Sequence, residues 1–293
     1  MSVMQDPDAP NHGLSARQMA IYRFRSNPLA MAGTLIVLSV VCAAIFAPWL
    51  APSPESAGSF VDFRNRHAPP NWTNLMGTDN VGRDVFSRVI YGYRVSLGLV
   101  VGVLGVAVPF GIVLGLMAGY FGGWVETIIM RFTDIMLALP PLAMALAITA
   151  VLSPNLINAM IAITLLWWTW HTRLIYRIVK GQMNEDYVEA ARVAGASHTH
   201  ILFRELLPNC FSAVAVKVSL DAGFVILFGA ALSFLGLGVQ PPTPDLGTMV
   251  ATGSEYLPEM WWQAVMPGLA ILYAILGFNL LGDGLRDMLD VEL

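Results

Sequence analysis

DYVEAARVAGASHTHILFRELLPN, residues 186–209, is the longest polar stretch in the C-terminal two thirds of a mostly apolar chain. It lies between two hydrophobic segments, each long enough to cross a bilayer, which takes about 20 apolar residues. Glu189, Arg192, His198, His200, Arg204 and Glu205 charge it, yet it keeps a helical pattern. Asn184 is placed to cap a helix starting near Glu185. Glu185 and Asp186 then fall in the first turn, where the helix dipole favours negative charge. Val188, Ala191 and Val193 or Ala194 form one weakly apolar face. Gly195 ends the helix as a glycine in the left-handed conformation, and Ser197 caps a second short helix that stops before Pro208. The result is a compact knob. Ala190, Ala191 and Ala194 let a partner surface come close, and Glu189 offers a charge to a basic partner. From the residues alone, the stretch reads equally as a docking surface for another protein or as an ordinary helical loop.

Composition explains the segments on either side. The 293 residues are 56% hydrophobic and only 12% charged, and the mean hydropathy is +0.63. Soluble domains carry about 25% charged residues. Half that value, with apolar runs of about 20 residues, puts the chain in a membrane. The net charge of −4 gives no reason to expect nucleic acid. Cys42 and Cys210 lie in separate apolar runs, match no metal-ligand spacing and read as free, packed thiols.

About six membrane helices are expected. Residues 1–28 form a cytoplasmic tail, with Arg17, Arg23 and Arg25 before the first apolar run. Residues 29–50 are longer than a cleavable signal core, which has about 7–15 residues, and read as an uncleaved first span. Residues 51–94 form an extracytoplasmic loop, irregular at first and more ordered from Gly77. There Asp79 or Asn80 is placed to cap a short helix. Val81, Val85, Val89 and Tyr93 make an amphipathic face suited to the membrane surface or the protein rim, or else a solvated linker ending in a helix cap. The membrane core is expected to follow, residues 95–285, with five further spans, a cytoplasmic loop at 180–209 and a cytoplasmic tail at 286–293. In the second span, Gly111, Gly115 and Gly119 share one face, as small residues do where membrane helices pack closely. In the third, Arg131 and Asp134 are spaced to pair, and Pro140–Pro141 interrupts the helix. That break is either a simple kink or a wall of a cavity. The fourth span ends in a basic cluster, His171, Arg173 and Arg177, expected at the cytoplasmic face. In the fifth, Lys217 and Asp221 are four apart, forming either a structural ion pair or part of a transport path. Asp283 and Asp287 read as a solvated helix end. The distribution of lysine and arginine favours both termini and the 186–209 loop on the cytoplasmic side.

Several chemistries are missing. A phosphate loop of the GxxxxGK[ST] type needs lysine after glycine, but Lys180 and Lys217 both follow valine. The spans hold no dense carboxylate relay, and there is no HExxH, CxxC or GxSxG. The chain carries no catalytic or metal-binding set, which leaves the polar loop as the candidate point of energy input.

Glu189-Ala190-Ala191, then Gly195, then Leu207-Pro208 resembles the EAA signature of permease subunits in binding-protein-dependent ABC importers. The spacing agrees at each step, with one departure: Glu205 stands where the pattern has isoleucine, and Ile201 and Phe203 are the candidates to replace its apolar anchor. GTDNVGRD at 77–84, AGYFGGWVETIIMRFTDIMLALP at 118–140 and SFLGLGVQPPTPDLGTM at 233–249 are similar to the C-type subunit of dipeptide and oligopeptide permeases, a branch close to nickel-uptake permeases. The resemblance covers nearly the whole chain. It implies an all-α integral membrane protein with the type I ABC importer permease fold. It further implies a homologous second permease subunit, two ABC ATPase subunits that hold ATP and Mg2+, and an extracytoplasmic substrate-binding protein. The chain itself would bind no cofactor, and its EAA loop would seat in an ATPase subunit. The rivals are an ATP-independent secondary carrier and a non-transporting membrane sensor; neither accounts for the EAA spacing.

Overall fold

A computed structural model describes residues 16–289. Among them the only strand-like pairing is a single bridge between Thr78 and Asp84. Helices α1 (Ala16–Ser26), α2 (Pro28–Ile45) and the short α3 (Ala47–Leu50) come first. Next are α4 (Val85–Phe121), α5 (Gly123–Ala138), α6 (Pro141–Val151) and α7 (Leu156–Gln182). After them come α8 (Asp186–Val193), α9 (His198–His200), a π-helical turn at Ile201–Leu206, α10 (Leu207–Phe234), α11 (Leu246–Ser254) and α12 (Trp262–Leu289).

Helices α2, α4 and α12 and the continuous run His198–Phe234 are each long and apolar enough to cross a membrane. Helices α5 and α6, bent by 88° at their break, make a fifth crossing if taken as one broken span. The sixth long helix is α7, whose 27 residues rise about 40 Å. Its tryptophans, His171 and basic C-terminal half lower its apolarity, so length alone qualifies it. Packing explains how such a helix is tolerated: Leu166, Trp167, Trp168, His171, Ile175 and Val179 are all buried.

The expected amphipathic segment and second span are one helix of 37 residues. Its N-cap is Asp84, whose carboxylate accepts the Ser87 N–H at 2.7 Å. Val85, Val89 and Tyr93 are buried in the bundle rather than laid on a surface. The glycine stripe packs α4 against α7 as its spacing predicts. A Cβ at Gly111 would come within 2.6 Å of the His171 Cβ, one at Gly115 within 2.6 Å of the Ile175 Cβ, and one at Gly119 within 2.7 Å of a Val179 methyl.

The loop between the first two spans is held by specific contacts. The Asp62 N–H donates to the Val81 carbonyl at 2.8 Å. The Arg88 guanidinium donates to the Ser56 carbonyl at 2.9 Å, and the Trp262 indole to the Thr78 carbonyl at 3.2 Å. Gly82 has φ +82°, and a Cβ there would meet the Asp62 carbonyl at 1.9 Å, so this turn admits only glycine.

Candidate functional site

The 186–209 stretch is a hairpin of short helices seated on the ends of α4 and α7. Glu185, not Asn184, is the N-cap residue of α8, and its side chain makes no capping bond. At the other end, Ala196 N–H donates to the Ala191 carbonyl and Gly195 N–H to the Arg192 carbonyl, both at 3.0 Å. That pair of bonds is the Schellman arrangement, with Gly195 at φ +79° in the left-handed position. The Ser197 hydroxyl accepts the His200 N–H at 3.3 Å, as its capping position suggests.

One face of this hairpin is locked down. Val188, Ile201, Leu202 and Leu206 are buried in one cluster with Leu116 and Tyr120 of α4, Ile175 and Val179 of α7, and Cys210. Tyr120 hydroxyl and His198 Nδ1 lie 2.8 Å apart, and the Arg192 guanidinium stands over the Tyr120 ring. The Asn209 amide donates to the Tyr187 hydroxyl at 3.1 Å, which itself donates to Gln182 at 3.0 Å. Burial pushes the Tyr187 phenol up, the Asn209 bond opposing it. The other face is open: Glu189, Ala190, Ala194 and Gly195 are exposed, and Val193 is 84% exposed. Leu207 is half-buried and Pro208 exposed at the start of α10. Glu205 lies 3.4 Å from His200 Nε2. Leu202 and Leu206, with Ile201, supply the apolar anchor; Phe203 points outward.

The Pro140–Pro141 break is sharp. Leu139 is extended, as a residue before proline prefers, and Pro141 opens α6 at its first turn. Pro140 is exposed and Pro141 half-buried. The adjoining face of α5 is apolar and uncovered, with Trp124, Ile128, Phe132 and Ile135 all more than half exposed. Two polar ties hold α5 to α7. Asp134 pairs with Arg173 rather than with Arg131 on its own helix. Glu126 accepts from the Lys180 ammonium at 2.7 Å and the Tyr176 hydroxyl at 2.5 Å.

Lys217 and Asp221 form the expected pair. Asp221 is 1% exposed, and its second carboxylate oxygen lies 3.0 Å from His171 Nε2. His171 itself is 0% exposed, inside the bundle rather than at a cytoplasmic rim. Sequence reasoning missed it as Asp221's partner. No local signal marked it, because the two residues lie on different helices.

A bundle of long apolar helices, with one helical hairpin offering a small-residue face outside it, is the architecture of a membrane permease subunit. Residues 111–292 match the family described as the binding-protein-dependent transport system inner membrane component, and residues 15–70 match the N-terminal transmembrane domain of oligopeptide transport permease C. The chain belongs to the binding-protein-dependent permease family. It is an all-α transmembrane permease subunit of an ABC importer. The chain is 45% identical to the di/tripeptide transport system permease protein of Pseudomonas aeruginosa over 92% of this chain and 90% of that one. It is 46% identical to the dipeptide transport system permease protein of Escherichia coli, over 92% and 91%. The Haemophilus influenzae dipeptide permease is 40% identical over 93% of each. Among solved structures, the inward-facing MetNI methionine ABC transporter aligns with a TM-score of 0.49 at 18% identity, covering 69% of this chain and 96% of that chain.

Proposed function

We propose that this chain forms half of the translocation path of an ATP-driven importer of di- or oligopeptides, and that α8 with Gly195 is the element by which a separate ATPase subunit moves it. The carrying observation is the two-sided hairpin. Val188 and Leu206, both fully buried, bind it to the bundle, while Glu189, Ala190, Val193 and Gly195 stand open for a partner. Ala191, Leu207 and Pro208 set its turn and its exit into α10. A ligand-driven movement of such a docked element biases a bundle with two arrangements. ATP and Mg2+ belong to the ATPase subunits, and the chain itself does no chemistry. A homologous permease subunit covers the apolar face of α5, with the Pro140–Pro141 break lining the path between them. The 51–84 loop faces outward toward a substrate-binding protein, and both termini face the cytoplasm. Peptide as substrate is supported by relatives at 40–46% identity over nine tenths of their length.

In the reconstituted complex, Gly195→Asp or Glu189→Lys is expected to uncouple binding-protein-stimulated ATP hydrolysis from uptake while the subunit remains in the membrane. Gly195→Asp also strains a left-handed position, at about 1–2 kcal/mol. Unchanged uptake in both variants would refute the docking role. Mass spectrometry of the ligand carried by the co-purified binding protein decides the substrate; a nickel chelate there would overturn the peptide reading.

A further inference from the structure

The 186–209 hairpin leaves the bundle through two helices, α7 before it and α10 after it. His171 lies eleven residues above Gln182, and Asp221 fourteen residues above Leu207, so both stand about 15–20 Å inside the bundle from the hairpin. There they meet. His171 Nε2 is 3.0 Å from Asp221 Oδ2, while Lys217 holds the other oxygen, Oδ1. His171 and Asp221 are 0% and 1% exposed. Neither of the two facing atoms has another partner among the described residues, and the approach is close without being aligned as a hydrogen bond. Gly111 of α4 presses on the other side of the histidine, where a Cβ would lie 2.6 Å from that of His171. His171 thus packs against α4 at its Cβ and faces the carboxylate of α10 with Nε2, while its Nδ1 has no hydrogen-bond partner among the described residues. Burying two ionisable groups in a membrane bundle is costly, and such groups are retained where they pair. A stability role for Lys217 and Asp221 alone needs no histidine on another helix.

We propose that His171 and Asp221 are positioning residues that join α7 to α10, so that the two helices carrying the docking hairpin move as one rigid piece. Lys217 neutralises the carboxylate on its own helix, and the histidine supplies the link between helices. Without the link, movement of the hairpin is absorbed by α7 and α10 sliding on each other, and less of it reaches the bundle. This rests on the docking role proposed above.

The test uses the complete importer in proteoliposomes, with tritiated dialanine as the transported probe and uptake per ATP hydrolysed as the readout. His171→Gln keeps a side-chain N–H donor and is expected to stay within about twofold of the native ratio. His171→Leu removes the polar group that faces the carboxylate oxygen and is expected to lower the ratio about tenfold, with ATP hydrolysis retained. A second pair carries the test if the histidine variants fail to assemble. Lys217→Met with Asp221→Asn is neutral and still able to bond to His171, whereas Lys217→Met with Asp221→Leu is neutral and unable to. The first is expected to transport and the second to uncouple. Spin labels at residues 157 and 224, on α7 and α10, give a readout that needs no substrate. Their distance is expected to hold constant on trapping ATP and vanadate in the native protein, and to spread in the uncoupled variants. Equal ratios within each pair, or a native distance that changes with nucleotide, would overturn the link. Glu189→Lys is the control that separates the two readings. If it uncouples and the link variants do not, only the link is lost. If it has no effect on uptake, the docking reading fails.

Discussion

Alanine at Gly111 would push α4 and α7 apart, and the same change at Gly105 would not. The added Cβ at Gly111 would sit 2.6 Å from the His171 Cβ and 2.7 Å from the Trp168 carbonyl oxygen. Ordinary carbon contacts are about 3.5–4.0 Å, so the helices must separate by about 1 Å at a place where one obstacle is backbone. Overpacking of this kind costs about 1–3 kcal/mol. Replacing glycine in a helix interior returns up to about 1 kcal/mol. That gain cancels in a comparison with Gly105→Ala, where nothing lies within 4 Å of the new Cβ. Gly111→Ala is therefore expected to be less stable than Gly105→Ala by about 1–3 kcal/mol, measured by equilibrium unfolding of the purified chain in mixed detergent and SDS micelles. Gly115→Ala, meeting the Ile175 Cβ at 2.6 Å and the Thr172 carbonyl at 2.8 Å, should behave like Gly111→Ala. Equal stability of the Gly105 and Gly111 variants would refute the account of the stripe as a close-packing surface.

Two further outcomes follow from the ends of the bundle. Leu206 is fully buried beneath the hairpin, so Leu206→Ala should cost about 2–5 kcal/mol of local stability and appear as faster amide exchange across 186–206, whereas Phe203→Ala, at an exposed side chain, should leave exchange there unchanged. His67 in the 51–84 loop is held below its usual 6.5 by burial first and by Arg66 second, with Asp79 opposing; the folded loop thus holds this proton less readily than the unfolded chain, so its stability is complete above pH 6.5 and is lost as the pH falls toward the lowered value. Limited proteolysis of residues 51–84 should therefore speed up at pH 5.5 relative to 7.5, and His67→Gln should remove that dependence.

The hairpin was legible because its information is local. The Ser197 cap and the glycine turn lie within 24 residues, and the left-handed Gly195 follows from its place at a helix end; the expected stop before Pro208 is absent, because proline is tolerated in the first turn of α10 and the helix runs on from His198 to Phe234. The glycine stripe and the Pro140–Pro141 break were legible for the same reason, since both are properties of one helix. What could not be read depends on contacts between distant segments. Val85, Val89 and Tyr93 have the pattern of a surface helix, and only the packing of α2, α11 and α12 against α4 makes them core. Asp134 had a suitable partner three residues away in Arg131, but Arg173 of α7 reaches it instead. His171 and Asp221 are fifty residues apart, and neither helix alone reveals that they face each other. Glu205 departs from the family pattern at no cost in packing, because Leu202 and Leu206 of the π-helical turn already fill the space beneath the hairpin.

The length of α4 matters beyond its packing. Its 37 residues rise about 55 Å, against roughly 30 Å of hydrocarbon in a bilayer. Even a tilted helix leaves several turns standing clear, and its first turns hold the 51–84 loop through Arg88 and Ser87. That loop is therefore not a separate cap resting on the bundle. It is mounted on the end of a helix that runs on through the bundle. A 10° change in the direction of that helix would carry a tip about 25 Å away sideways by about 4 Å, moving the loop without any rearrangement within it.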